Sequence, residues 1–268
     1  MKTVVGRAQL EAADGPLLAA VGVFDGLHLG HAYLLEHLVR EAHARSARPA
    51  VITFDAHPDA ILLGHAPPLL MDPTERFERL VGAGVDVVVV EHFDEALRQT
   101  PYDAFVAGIT DRCDLVGILM TPDAAFGHDR AGTPQTVGEL GARDGFEVIV
   151  VPPFALDGRE VRSSDIRAAI AAGDLATAGR LLGRPYVVVG DVDDGGLMTF
   201  PMPVALPPSG SYRAAVPGGV QGTLSIESGW VRVFGISPGT ALRIEVVSRI
   251  GPSADSFPDP AKASKRDE

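Results

Sequence analysis

Asparagine is absent from the 268 residues, cysteine occurs once, at Cys113, and lysine is confined to Lys2, Lys262 and Lys265. A lone cysteine excludes an intrachain disulfide framework and a multi-cysteine zinc site, which fits a reducing, cytoplasmic setting. With no lysine between positions 2 and 262, neutralising a bound phosphate falls to arginine, histidine and backbone amides. The formal charge of −12 leaves no broad basic surface for nucleic acid. No charged and apolar leader precedes the first apolar run, and no run is long enough to cross a bilayer. Neither nucleic acid nor a membrane is therefore expected as a partner, while a homo-oligomer is left open. What is plentiful is core material: 46% of the chain is hydrophobic, enough for one large domain or two modest ones.

The organising stretch is Val21-Gly22-Val23-Phe24-Asp25-Gly26-Leu27-His28-Leu29-Gly30-His31. The apolar run from Leu17 to Phe24 predicts a buried parallel strand, Asp25-Gly26 its turn, and Leu34, Leu35, Leu38, Val39 and Ala42 the apolar face of the next helix. At a strand-to-helix junction, unpaired N–H groups and the positive end of the helix dipole face outward and suit a phosphate. Gly22, Gly26 and Gly30 let the backbone come close to a ligand. His28 and His31, three apart in the first helical turn, share the face that would meet it and can donate hydrogen bonds to developing charge.

Strand and helix patterns then alternate. Short apolar runs at 50–54, 85–90, 115–120 and 146–151 read as strands. Asp72-Pro73-Thr74-Glu75 combines an N-cap, a proline at the first helical position and a capping-box carboxylate, and Glu75, Glu78 and Arg79 read as an exposed, locally paired face. Thr100-Pro101 opens a further helix. The polar stretch 121–136 is long for a connection in a compact domain, which points to a functional loop. Ser163 or Ser164 would cap a helix that carries Arg167 one turn in, making a second anion site. Four or five strands separated by helices predict a doubly wound parallel sheet. Beyond Tyr186, runs at 187–192, 211–216, 222–226, 230–234 and 241–248 are rich in β-formers and predict a small antiparallel barrel. The expected division is 1–185, 186–251 and a disordered tail at 252–268.

Phe24-Asp25-Gly26-x-His28-x-Gly30-His31, Thr53-Phe54-x-x-His57-Pro58, Phe126-Gly127, Ser163-Ser164-x-Ile166-Arg167 and Leu182-Gly183-Arg184-Pro185-Tyr186 stand in an order and at spacings that resemble bacterial bifunctional riboflavin kinase/FAD synthetases. The resemblance implies an N-terminal FMN adenylyltransferase domain of the Rossmann-like His-x-Gly-His nucleotidyltransferase type and a C-terminal kinase barrel. It implies that ATP lies across Gly22, Val23, Phe24, Asp25 and Gly30 and against Ser163 and Ser164, and that the FMN phosphate attacks the α-phosphorus, giving FAD and pyrophosphate. His28 and His31 would then serve the α-phosphate and leaving group, Arg167 with Ser164 the β- and γ-phosphates, and Mg²⁺ would bridge phosphate oxygens. No protein ligand for the metal is identified. Asp25 either orients a metal-bound water or simply makes the turn. His57, Pro58, Asp123, Phe126 and Gly127 fall on the acceptor side.

Two departures stand out. The flavin-side loop, usually Gly-x-Asp-Phe-x-Phe-Gly, reads Thr121-Pro122-Asp123-Ala124-Ala125-Phe126-Gly127, which opens the alternative of a phosphorylated acceptor other than flavin. The kinase signature Gly-Phe-Pro-Thr-Ala-Asn corresponds to Thr199-Phe200-Pro201-Met202-Pro203-Val204, and a chain without asparagine cannot restore it at any register. Riboflavin kinase activity is expected to be lost, with 187–250 a structural or oligomerising remnant. A catalytically retired nucleotide- or flavin-binding regulator is the remaining alternative.

Overall fold

The computed structural model describes residues 2–227 and 229–251, and the tail expected to be disordered lies outside them. Six strands, β1 (Lys2–Val5), β2 (Leu17–Val21), β3 (Arg48–Phe54), β4 (Val87–Glu91), β5 (Leu115–Met120) and β6 (Glu147–Val150), make one sheet in the order β1-β4-β3-β2-β5-β6. All of its pairings are parallel, so the doubly wound expectation holds. The sheet gains β1, a four-residue edge strand too short to register as an apolar run. The central strand is shorter than its apolar run: β2 stops at Val21 because the chain must leave the sheet there, and Phe24 adopts φ 53°.

The helices are α1 (Leu29–Ala44), α2 (Asp59–Leu62), α3 (Pro73–Gly82), α4 (Glu95–Arg98), α5 (Tyr102–Thr110) and α6 (Pro134–Asp144). Alternation along β2 explains the two layers. Leu18 and Ala20 pack with Leu35, Leu38 and Ala42 of α1 and Leu80 of α3. Leu17 and Ala19 pack with Phe105, Val106 and Ile109 of α5 and Val137 and Leu140 of α6. Among the described residues no helix is long and apolar enough to cross a membrane.

Three local expectations change. Asp72 caps α3 by accepting from the amides of Thr74 and Glu75, but Glu75 is buried rather than exposed and pairs with Arg79 at 2.6 Å, while Glu78 reaches across to Arg243 of the barrel. The N-cap of α5 is Pro101, not Thr100. Neither serine caps the helix they open, because Ser163 is already its first residue and its N-cap is Arg162.

After a short hairpin, β7 (Ala155–Leu156) with β8 (Arg159–Glu160), come α7 (Ser163–Ala171) and α8 (Leu175–Leu182). The strands β9 (Val187–Val192), β10 (Leu197–Thr199), β11 (Gly210–Ala215), β12 (Gln221–Glu227), β13 (Trp230–Phe234) and β14 (Gly239–Arg249) close into a barrel in the order β10-β13-β12-β11-β14-β9. Ile166 and Ile170 of α7 and Leu175, Ala178 and Leu182 of α8 join the barrel's core with Val188, Tyr212, Leu224 and Ile244. By packing, then, this helix pair goes with the barrel, although the chain enters its first barrel strand only at Val187. A backbone stitch joins the two halves: Leu69 N–H donates to Pro203 O, and Ala205 N–H donates to Leu69 O, each at 2.8 Å.

Ile170, wholly buried between α7 and the barrel, gives a direct test of that packing. Ile170→Ala should lower unfolding free energy by about 2–5 kcal/mol in urea titrations; a loss below about 1 kcal/mol would mean that α7 is not seated on the barrel.

Candidate active site

The turn between β2 and α1 is built from backbone that resists ordinary conformations. Phe24 and Leu27 have φ of 53° and 36°, and Gly26 has φ 80°, values that a non-glycine residue keeps only when its surroundings hold it there. Arginines supply much of that hold. Arg76 of α3 donates from Nη1 to Val23 O at 3.1 Å and from Nη2 to Phe54 O at 2.9 Å. Arg184 donates from Nη2 to Gly26 O at 2.8 Å and from Nη1 to Leu27 O at 3.4 Å. Arg167 pairs with the Asp25 carboxylate at 2.5 Å and donates from Nε to Pro68 O at 2.9 Å. Thr53 Oγ1 adds a bond to Val23 O, and Ser163 Oγ one to Asp25 O, both at 3.1 Å.

In front of this turn lies a cleft of about 370 Å³ at the carboxyl ends of β2, β5 and β6, where strand order reverses and open α/β sheets bind ligands. His28 and His31 line one wall, Val161, Arg162 and Ser163 the other. Gly30 sits between them: a Cβ there would lie 3.1 Å from both the His28 ring and Val161 O, so a side chain would fit only if the ring or the carbonyl gave way by a few tenths of an ångström. The lining also includes Gly22 and Phe24, Thr121 and Asp123, and Tyr33 and Phe154, whose rings are 5.6 Å apart.

The two imidazoles stack, with centroids 3.8 Å apart and planes 19° from parallel. His28 caps α1, its Nδ1 accepting the His31 amide proton at 3.3 Å. A neutral ring that accepts at Nδ1 carries its proton on Nε2 and is therefore a donor there. Burial, then the nearby Arg184 and Arg167, push the His28 pKa down to about 4. Burial and the facing His28 hold His31 well below the ordinary imidazole range. Both rings are thus neutral at pH 7. His31 Nδ1 is shielded and has no hydrogen-bond partner among the described residues.

The other expected site residues divide. Gly22, Phe24, Gly30, Ser163 and Asp123 line the cleft, but Val23, Asp25, Ser164, Arg167, His57, Pro58, Phe126 and Gly127 do not. Asp25 is 4% exposed, and both its oxygens accept from Leu70 N–H at 3.1 and 3.2 Å besides the arginine. Of its two readings, the turn is what the packing supports, since both oxygens of this carboxylate are engaged. Desolvation raises its pKa, with Arg167 and the Leu70 amide opposing. Ser164 is exposed on α7. His57 accepts from Asp59 N–H at 3.2 Å, and burial lowers its pKa, with the charge of Arg167 acting the same way and those of Asp59 and Asp25 opposing. Gly127 packs its backbone against Tyr102. Phe126, with Ala124 and Ala125, lines a separate apolar void of about 70 Å³ that shares Val21, Leu34 and Thr121 with the cleft.

Sequence reasoning missed Arg76, buried in a helix whose charges looked solvated, and gave Arg184 no role within its motif. It also missed the wall of Pro152, Pro153 and Phe154, for which a proline pair just past a strand was the available signal. Among the described residues no three His, Cys, Asp or Glu side chains cluster to hold a metal. The carboxylates that line the cleft are Asp123 and Glu160.

A family model described as FAD synthetase matches residues 10–165. Curated relatives named bifunctional riboflavin kinase/FMN adenylyltransferase include one from Haemophilus influenzae, 34% identical over 177 residues, covering 65% of this chain and 58% of the relative. Another, from Pseudomonas fluorescens, is 31% identical over 196 residues, covering 73% and 63%. The chain therefore spans less than two thirds of the length of these relatives. The crystal structure of a macrolide-efflux protein from Streptococcus pneumoniae superimposes with TM-score 0.80 over 98% of this chain and 94% of its own, at 22% identity, a likeness of fold.

Imidazoles buried neutral must be charged on unfolding in acid. His28 binds its proton near pH 4 when folded and near the ordinary 6.5 when unfolded, so the unfolded state holds more protons between those values and stability falls as pH drops through them. The slope is at most about 1.4 kcal/mol per pH unit for each ring. Urea unfolding at pH 7.5 and pH 5.0 should show this loss, and His28→Gln should reduce it; an equal loss in both proteins would mean that His28 is not buried neutral.

Proposed function

The chain belongs to the FAD synthetase family, and on that premise we propose that its cleft transfers the adenylyl group of ATP to the phosphate of FMN, giving FAD and pyrophosphate. The observation that carries this reading is the pair of neutral, stacked imidazoles across a cleft from the start of α7. An oxygen of the FMN phosphate forms the new bond to the α-phosphorus, and the bond from that phosphorus to the bridging oxygen breaks as pyrophosphate leaves. The attacking phosphate is already anionic near neutral pH, so the chain supplies alignment and charge stabilisation rather than a base. His28 donates from Nε2, and His31 stands beside it against the same phosphate. Ser163 and the backbone at Gly22 and Gly30 form the rest of the cradle, while Phe154 and Tyr33 offer an apolar end for a purine ring.

Magnesium fits as an ion carried in on the nucleotide, because the cleft offers hard carboxylate donors but no three-ligand set among the described residues. Asp123 would face it, and its chemistry there would be to offset phosphate charge. Asp25 and Arg167 act from behind, holding the turn. On the acceptor side the void beside Ala124 and Ala125 favours a second reading, the same transfer to another phosphorylated acceptor.

The barrel, in this proposal, has no riboflavin kinase activity. Met202 and Val204 carry no oxygen in their side chains where the signature has threonine and asparagine, and the flanking Pro203 O and Ala205 N–H are bonded to Leu69.

Purified protein given ATP, magnesium and FMN should yield FAD and pyrophosphate in equal amounts, and none of it should convert riboflavin to FMN. His31→Ala should lower FAD turnover by about 10²-fold or more with an unchanged circular dichroism spectrum. Pyrophosphate release with a different phosphate-bearing acceptor, but no FAD, would select the second reading; riboflavin phosphorylation would refute the loss of the kinase.

A further inference from the structure

Of the ionisable side chains that line the cleft, Asp123 and Glu160 are acidic, the two histidines are neutral, and Arg162 is, among the described residues, the one permanent cation. Among the side chains that line this space a triphosphate meets two carboxylates and one cation, so the placement of that cation bears directly on how the anion is held. Arg162 is well placed to act. It stands at the N-cap of α7, directly before Ser163, and its side chain is 57% exposed toward solvent. Among the described residues its ionic partner is Glu160, at 2.5 Å. The partner is two residues away at the end of β8, so the guanidinium can turn from Glu160 to an incoming anion without disturbing the core. Arg167 is differently situated. Its Nη2 and Nε are committed to a carboxylate that is 4% exposed and to Pro68 O, and withdrawing it would leave Asp25 buried without its counter-charge, a costly move.

We propose that Arg162, paired with Glu160 in this structure, is the arginine that grips the polyphosphate tail of the nucleotide, and that Arg167 is a positioning residue for the turn. The proposal rests on the nucleotide-binding part of the reading above and is independent of the acceptor.

Binding of a non-hydrolysable ATP analogue with magnesium, and of adenosine, is measured by calorimetry with no acceptor present. Arg162→Ala should weaken the analogue by about 10- to 100-fold, as for loss of a charge-assisted hydrogen bond, and leave adenosine unchanged. Arg162→Lys should recover part of the loss, since an ammonium lacks the planar fork. Glu160→Gln should tighten the analogue by releasing this pairing. Arg180→Ala, which removes an exposed cation paired with Asp157 outside the cleft, should change nothing and so excludes a general field effect. Arg167→Ala should lower the melting temperature and cost less analogue affinity than Arg162→Ala. The proposal is overturned if Arg162→Ala changes analogue affinity less than twofold, if adenosine suffers equally, or if Arg167→Ala costs more affinity while melting as the unsubstituted protein does. Failure to form FAD while these affinities behave as stated would count against FMN as acceptor and leave Arg162 in place.

Discussion

The turn from Val23 to His28 is the constraint on which the rest depends. Two non-glycine residues there hold positive φ, each costing on the order of 1–3 kcal/mol if left to itself. Guanidinium groups from α3, α7 and the segment after α8 fasten its carbonyls and its carboxylate. Such hydrogen bonds are charge-assisted and form away from bulk water, where they are strongest. The strain turns the backbone so that α1 begins directly after its N-cap, His28, and that beginning places the two imidazoles one above the other.

The barrel belongs to this arrangement as its back wall. Leu70, which donates its amide to Asp25, packs in the barrel's core and touches the space a Cβ on Gly26 would need. The preceding residue, Leu69, is stitched to Pro203 and Ala205, within or beside the stretch where the kinase signature has been replaced. This segment supplies main-chain bonds, which do not depend on side-chain identity. The barrel thus has a structural part in the fold whatever its own chemistry.

Electrostatics in the cleft follow from burial more than from net charge. Neutral imidazoles cost less to bury than charged ones, and they still donate hydrogen bonds. Full charges stand on the cleft-lining Arg162, Glu160 and Asp123, or behind the turn, on Arg167 and Asp25. The cleft lining thus combines neutral donors with an exposed, paired arginine.

Periodicity and punctuation in the chain determined the alternating strands and helices, the parallel sheet, the β-rich second half and the turn with its paired histidines, because each is written in local spacing: apolar runs, Asp-Gly, and two imidazoles one helical turn apart. The doublet Ser163-Ser164 and Arg167 were legible as a helix start, but not the groups that each side chain would meet. Only tertiary structure decided that Arg167 faces a buried carboxylate while Arg162 faces the cleft, that Glu75 is inside, and that Arg76 and Arg184 grip the turn. The reason is that a guanidinium reaches several ångströms from its backbone, so its partner is chosen by which carbonyl or carboxylate is brought within range from distant sequence. Local pattern carries no record of that encounter.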